Sequence, residues 1–135
     1  MGVLRQLTYD ECVRRLDAGS IGRVAITEHA MPAILPVNYV RSGARILFRT
    51  EPGGTLARGC NGSVVAFEID GVGREGAAGW SVLVVGTASL LDHDLADVAG
   101  LAALTSAVSA GRDQFVAVTL GQVSGREVVA ESCVA

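Results

Sequence analysis

The stretch from Arg45 to Arg58, RILFRTEPGGTLAR, gathers Arg49, Thr50, Thr55 and Arg58 around a glycine-containing turn. Its pattern reads strand, turn, short helix. Backbone N–H groups at a helix start, two hydroxyls and one or two guanidinium groups suit a phosphate dianion, which arginine binds bidentately. A surface turn with ordinary arginines has the same composition, so spacing alone leaves both readings open. Other constellations carry less. His29 and His93 each fall in a predicted turn or loop without a neighbouring ligand set, so no metal site is expected. The GVGREG run at 71–76 has the glycines of a phosphate loop but no helix after it, and reads as a flexible hairpin loop. Cys12, Cys60 and Cys133 are odd in number and widely spaced, which fits reduced thiols rather than a zinc site or a disulfide framework. The eleven basic residues are all arginine, which excludes a lysine Schiff base.

The elements that position these residues must come from a chain of 135 residues, enough for one domain with one core. Half of the residues are hydrophobic and 19% are charged, a balance that folds. Aromatics are only 4%, so Val, Ala, Leu and Ile must fill the core. The net charge of −3 argues against non-specific nucleic-acid binding and against a polybasic membrane patch. No run approaches the ~20 apolar residues of a membrane span. The opening MGVLRQLTYDEC has no apolar run of signal-peptide length, and Gln6 breaks a myristoylation motif, so a cytoplasmic location is expected.

Thr8-Tyr9-Asp10-Glu11 is a capping box flanked by Leu7 and Cys12, and predicts a helix over about 8–18 that stops at Gly19. The pattern then turns to short β-rich runs. Ile21–Thr27, Met31–Val40 and Arg45–Thr50 are joined by short turns and predict an antiparallel meander. Pro32 and Pro36 inside the second run mark an edge, a bulge or a strand end. A short helix over Thr55–Cys60, strands at Ser63–Asp70 and Trp80–Leu91, and a helix at about 95–108 follow. Gln114–Leu120 and Ser124–Val129 are the last strands, with a pairing through Gly121-Gln122-Val123 as one possibility. Six or seven strands without βα alternation favour a closed or nearly closed antiparallel barrel, since closure removes exposed edges.

Taken together, these pieces resemble a known family. LTYDECVRRL, Ile21-Gly-Arg-Val-Ala-Ile26, Leu35-Pro-Val-Asn-Tyr39, Leu47-Phe-Arg-Thr50, Val65–Asp70, Gly79-Trp-Ser-Val82 with Gly86, and Gly125-Arg126 occur in the order and spacing of FMN-binding split β-barrel proteins. These are related to pyridoxamine 5′-phosphate oxidase, and the branch is that of short actinobacterial proteins near the nitroimidazole-resistance flavoproteins. The resemblance covers nearly the whole chain. It implies a mainly β fold, one domain over 1–135: a six-stranded antiparallel Greek-key split barrel with two or three short helices. It implies a homodimer with two FMN sites at the interface, each built from both chains. The isoalloxazine would lie along Pro36, Val37 and Asn38 and along Phe48, Arg49 and Thr50. The phosphate would lie at Thr55, Leu56 and Arg58, and Trp80 and Ser81 would approach the ring.

One departure matters. Thr55 stands where relatives carry a phosphate-binding lysine. Losing that charge-assisted contact would cost about 1.5–3 kcal/mol. Arg58, at i+3, compensates, or the register slips so that Thr55 supplies a hydroxyl, or this member binds FMN weakly or prefers another ligand. Arg23 either reaches the cofactor or pairs with a carboxylate such as Glu68. Trp80 reads as a barrel or dimer-core residue beside its role near the ring, and no general acid or base is assigned. The expected function is a flavin-dependent oxidoreductase acting on a small molecule over the exposed flavin face. The alternatives are a deazaflavin-dependent reductase on the same barrel, or a non-catalytic barrel without a cofactor.

Overall fold

A computed structural model describes residues 2–72, 79–91 and 114–130. The predicted helix at 95–108 and most of the 71–79 loop lie outside the described residues. The element order is β1 (Gly2–Gln6), α1 (Tyr9–Ala18), β2 (Ile21–Glu28), β3 (Met31–Ser42), β4 (Arg45–Thr50), α2 (Thr55–Cys60), β5 (Val64–Val72), β6 (Gly79–Leu91), β7 (Gln114–Thr119) and β8 (Gln122–Ala130). Strands β6-β5-β2-β3-β4-β7 run in that order, and β7 pairs back onto β6, closing an antiparallel six-stranded barrel. Strands β8 and β1 extend the sheet outward from β6.

Alternation builds the barrel interior. Val24 and Ile26 of β2, Val37 and Tyr39 of β3, Ile46 and Phe48 of β4, Val65, Phe67 and Ile69 of β5, and Val82 and Val84 of β6 are buried together. Period-two burial on each strand is what a single lined face requires. Strand β4 departs from it: Leu47 is also fully buried, in a second cluster with Leu91, Phe115 and Ala117 on the outer face.

Helix α1 starts at the predicted capping box, with the Glu11 N–H donating to Thr8 Oγ1 at 3.2 Å and the Thr8 N–H to Glu11 Oε1 at 2.9 Å. It buries Cys12 and Leu16 against the barrel. Gly19 ends it with extended backbone. Its role is space, since a Cβ there would meet the Tyr39 hydroxyl at 2.4 Å. That hydroxyl donates to the Leu16 carbonyl at 2.6 Å and ties the helix end to β3.

Two expectations need correcting. Strand β1 adds to the predicted strands; all five of its residues are exposed and leave no alternating pattern to read. The last two strands do not pair with each other. Both lie on β6, β8 along Trp80–Val85 and β7 along Ala88–Leu91. The register steps from Val85↔Gln122 to Ala88↔Val118, four residues against three, which is one extra residue at the crossing. Glycine makes that crossing possible: a Cβ on Gly86 would lie 1.9 Å from the Thr119 carbonyl oxygen.

Candidate functional site

Strand β3 changes neighbours half-way. Met31–Asn38 pairs with β2, whereas only Tyr39–Ser42 pairs with β4. Among the described residues, the first half of β3 therefore has one neighbour, and its other edge is open. The Tyr39 N–H donates to the Ser20 carbonyl at 3.1 Å, so odd-numbered residues aim their backbone groups at β2. Even-numbered residues then aim theirs at the open edge. Pro32 and Pro36 are both even, so each places its missing donor where no ladder bond is lost. The open edge keeps the N–H groups of Ile34 and Asn38 and the carbonyls between them. Pro36 and Asn38 also expose their side chains on the outer face, while Val37 points into the core.

The β2–β3 hairpin brings this edge to α2. Its central residues, His29 and Ala30, both adopt the left-handed region at φ 52° and 62°. Helix α2 buries Leu56, Ala57, Gly59 and Cys60 and exposes Thr55 and Arg58, one turn apart on one side. Gly59 sits so close to the barrel that a Cβ would meet Ile26 at 2.5 Å. The Arg58 guanidinium reaches three acceptors: Nε donates to Glu28 Oε1 at 2.6 Å, Nη1 to the Gly53 carbonyl at 2.5 Å, and Nη2 to Thr55 Oγ1 at 3.3 Å. Arg58 thus clamps the turn in which Gly53 needs φ 71°. The Arg58 hydrogen bond holds the Glu28 carboxyl below its usual range, and the field of His29 adds to this.

The structure brings Arg58 and Thr55 to the hairpin end of the open β3 edge, beside Glu28, whose partner is Met31. Arg49 and Thr50 end β4, opposite Phe115 and Gln114. Phe48 and Leu56 are core residues that support this end from beneath. Trp80 and Ser81 are elsewhere. They sit on β6, three strand steps from β3 in either direction and so on the opposite wall of the barrel, about 14 Å along the sheet at the usual strand spacing. The Trp80 ring packs on the core beneath Arg15, whose guanidinium lies 4.6 Å from the ring centroid, and Gly71 leaves room for it. Ser81 is opposite Asp70 on one side and Arg126 on the other.

A family model described as pyridoxamine 5′-phosphate oxidase matches residues 8–127. The chain belongs to this family. A protein of Mycobacterium tuberculosis, the uncharacterized protein Rv0080, is 34% identical over 133 residues, covering 94% of this chain and 87% of the relative. The FAD binding protein from Mycobacterium smegmatis is 28% identical with a TM-score of 0.71, covering 93% of this chain and 98% of its own. A FAD-binding protein from Mesorhizobium loti is 26% identical with a TM-score of 0.77, covering 96% of this chain and 100% of its own.

The residues of this family member fit a flavin phosphate. Arg58 is half exposed, and after its three hydrogen bonds one N–H remains on each terminal nitrogen. The Thr55 hydroxyl adds a neutral donor. Arg23 is spoken for: it bridges Glu68 at 3.1 Å and Asp70 at 3.3 Å on the outer face. Burial and the neighbouring Asp70 raise the Glu68 carboxyl in spite of Arg23. Cys60 is fully buried and its thiol is pushed up to about 11 by burial, so it is no nucleophile. A cavity of about 380 Å³ opens between β1 and β8, lined by Leu4, Gln6, Ser124 and Arg126, and holds none of the predicted site residues. Glu28 is the site residue that sequence reasoning missed. Its only sequence signal was a place in a turn, and its partner Arg58 is 30 positions away. Among the described residues no helix is long and apolar enough to cross a membrane, and no group of three or more His, Cys, Asp or Glu is arranged to hold a metal.

Proposed function

We propose that this chain binds a flavin nucleotide along the open edge of β3 and acts as a flavin-dependent oxidoreductase on a small molecule. The observation that carries the reading is the half-paired β3 strand, which ends at the Arg58–Thr55 cluster. An edge of unpaired backbone groups suits the polar rim of an isoalloxazine. A guanidinium with two remaining N–H groups suits the phosphate of its ribityl chain. Two solved relatives above 25% identity are FAD-binding proteins by description, which supports the flavin reading. Bound flavin supplies reversible two-electron transfer. The chain's own residues bind and orient it: Arg58 and Thr55 anchor the phosphate, Pro36 and Asn38 offer the outer face of β3, and Arg49 and Thr50 close the end of β4.

The reading includes a homodimer. Trp80 and Ser81 lie away from the open edge of β3 within one chain, so in this reading a second copy delivers them. The outer face of the sheet offers a surface for that copy. Ile34 of β3, Ile21 of β2, Val64 of β5 and Leu83 of β6 are all exposed there. The first experiment is the visible absorption spectrum of the purified protein before and after titration with FMN and FAD, with the mass in solution measured alongside. Stoichiometric uptake by a dimer is expected. A colourless protein that takes up neither flavin overturns the reading, and a monomer overturns the shared site.

A further inference from the structure

The cation at the proposed phosphate site already has a carboxylate on it. Glu28, at the end of β2, bonds Arg58 Nε at 2.6 Å, and only 19% of its side chain is exposed. The pair is neutral overall. A phosphate arriving at Arg58 meets the guanidinium and the carboxylate together. His29 is also at this end, 3.8 Å from Glu28 with its side chain 90% exposed, and Glu51 opens the turn that Arg58 clamps. From this juxtaposition, and resting on the flavin reading above, we propose that Glu28 sets which phosphate the site accepts. It disfavours a terminal phosphomonoester dianion relative to a pyrophosphate whose two charges are spread over two phosphates.

The physical reason is where the second negative charge sits. The terminal phosphate of FMN is a monoester with a second ionisation near pH 6, so it is close to a dianion at neutral pH. The phosphate on the ribityl chain of FAD is half of a pyrophosphate: it carries one negative charge, and the second sits on the adenylate phosphate, one P–O–P link further on. Both ligands gain the same guanidinium contact. Both also meet Glu28, but the dianion holds both charges against it, whereas the pyrophosphate holds one there and the other on the next phosphate. Moving one charge from about 5 Å to about 8 Å from the carboxylate is worth roughly a factor of two in water and roughly eight at the lower effective dielectric of a protein surface. An open site at the end of the barrel lies toward the weaker limit. Discrimination of this kind works by placing an unfavourable contact against the wrong ligand. The missing lysine has the same consequence: Thr55 leaves the turn one positive charge short, and Glu28 cancels another.

The test is a pair of titrations on the full-length protein, following quenching of flavin fluorescence with FMN and with FAD. Glu28→Gln keeps the shape and removes the charge; Glu28→Thr is the second variant, suited to an exposed strand end. Both are expected to lower the ratio of the FMN to the FAD dissociation constant by about two- to fivefold, by tightening FMN more than FAD. A ratio unchanged in both folded variants overturns the role of Glu28 while leaving flavin binding intact. Failure of the wild-type protein to bind either flavin overturns the flavin reading itself and this assignment with it.

Discussion

Arg58→Gln separates anchoring of a phosphate from upkeep of the turn. The substitution keeps most of the stem and removes the charge. A charge-assisted hydrogen bond to phosphate is worth about 1.5–3 kcal/mol. The Arg58 side chain is 54% exposed, so the lower end applies, about 1.5 kcal/mol or roughly tenfold in affinity. The cost to the fold is modest. The ion pair to Glu28 is at the surface and contributes about 0–1 kcal/mol. The Gly53 carbonyl, also at the surface, turns to water instead. Riboflavin supplies the control, because it has the ring and the ribityl chain of FMN but no phosphate. The assay is a four-way comparison of dissociation constants, wild type and Arg58→Gln against FMN and riboflavin. FMN is expected to weaken about tenfold, with riboflavin changing less than about twofold. Equal weakening of both ligands refutes the reasoning, because it makes Arg58 a prop for the turn and not an anchor. Thr55→Lys is the reciprocal change. It restores an ammonium to the turn and should tighten FMN while leaving riboflavin alone; no gain for FMN places the phosphate elsewhere.

Ala30→Gly should stabilise the fold by about 0.5–1 kcal/mol, since Ala30 holds φ 62° and glycine adopts that region without the alanine penalty. Thermal unfolding should show a rise of about 2–4 °C, and a fall would contradict the turn geometry. Tyr39→Phe removes the buried hydrogen bond to the Leu16 carbonyl, which keeps a second donor in the Gly19 N–H at 3.3 Å. A loss of about 1–2 kcal/mol and a drop of about 3–6 °C are expected, and an unchanged midpoint would mean that the helix end is not tied down there. The Glu11 carboxyl is held down at about 2, chiefly by the Arg5 hydrogen bonds and then by the Thr8 N–H. Its folded value lies below its unfolded one, so its contribution is present above the unfolded value near 4.5 and is lost as pH falls toward 2. Melting curves between pH 7 and 3 should fall less steeply for Glu11→Gln than for wild type, and parallel slopes would show that Glu11 plays no part in the acid sensitivity.

Much of the fold was legible because its signals are local. The capping box at Thr8 needs four residues, and the α2 boundaries follow from glycines on one side and Asn61-Gly62 on the other. The prolines of β3 were legible in kind: each marks an edge, and both fall on the edge that β4 leaves unpaired. What stayed hidden depends on neighbours distant in sequence. The five exposed residues of β1 are a strand only because β8 offers them a ladder. Strands β7 and β8 look like a hairpin from their short connection. Gly86, far upstream of Thr119, lets the chain cross β6 instead, and the closing strand of the barrel is decided there.

The site divides in the same way. Thr55 and Arg58 share a face because three residues separate them on a helix, and that much follows from spacing. The charge at Arg58 does not. Local sequence presents Arg58 as a cation beside a phosphate turn, whereas the fold delivers Glu28 from the preceding hairpin and makes a neutral pair. The delivery relies on an unfavourable turn: two residues with side chains, His29 and Ala30, occupy left-handed backbone where glycine or asparagine would be easier. His29 follows Glu28 and Ala30 precedes its partner Met31, so the conformation of this turn and the charge presented to the ligand are one problem. Relaxing the turn through Ala30→Gly leaves Glu28 ionised and in register with Met31. The variant should therefore raise stability without altering the FMN to FAD preference, whereas Glu28→Gln should do the reverse. Opposite responses of this kind would assign the strain to the backbone and the selectivity to the carboxylate.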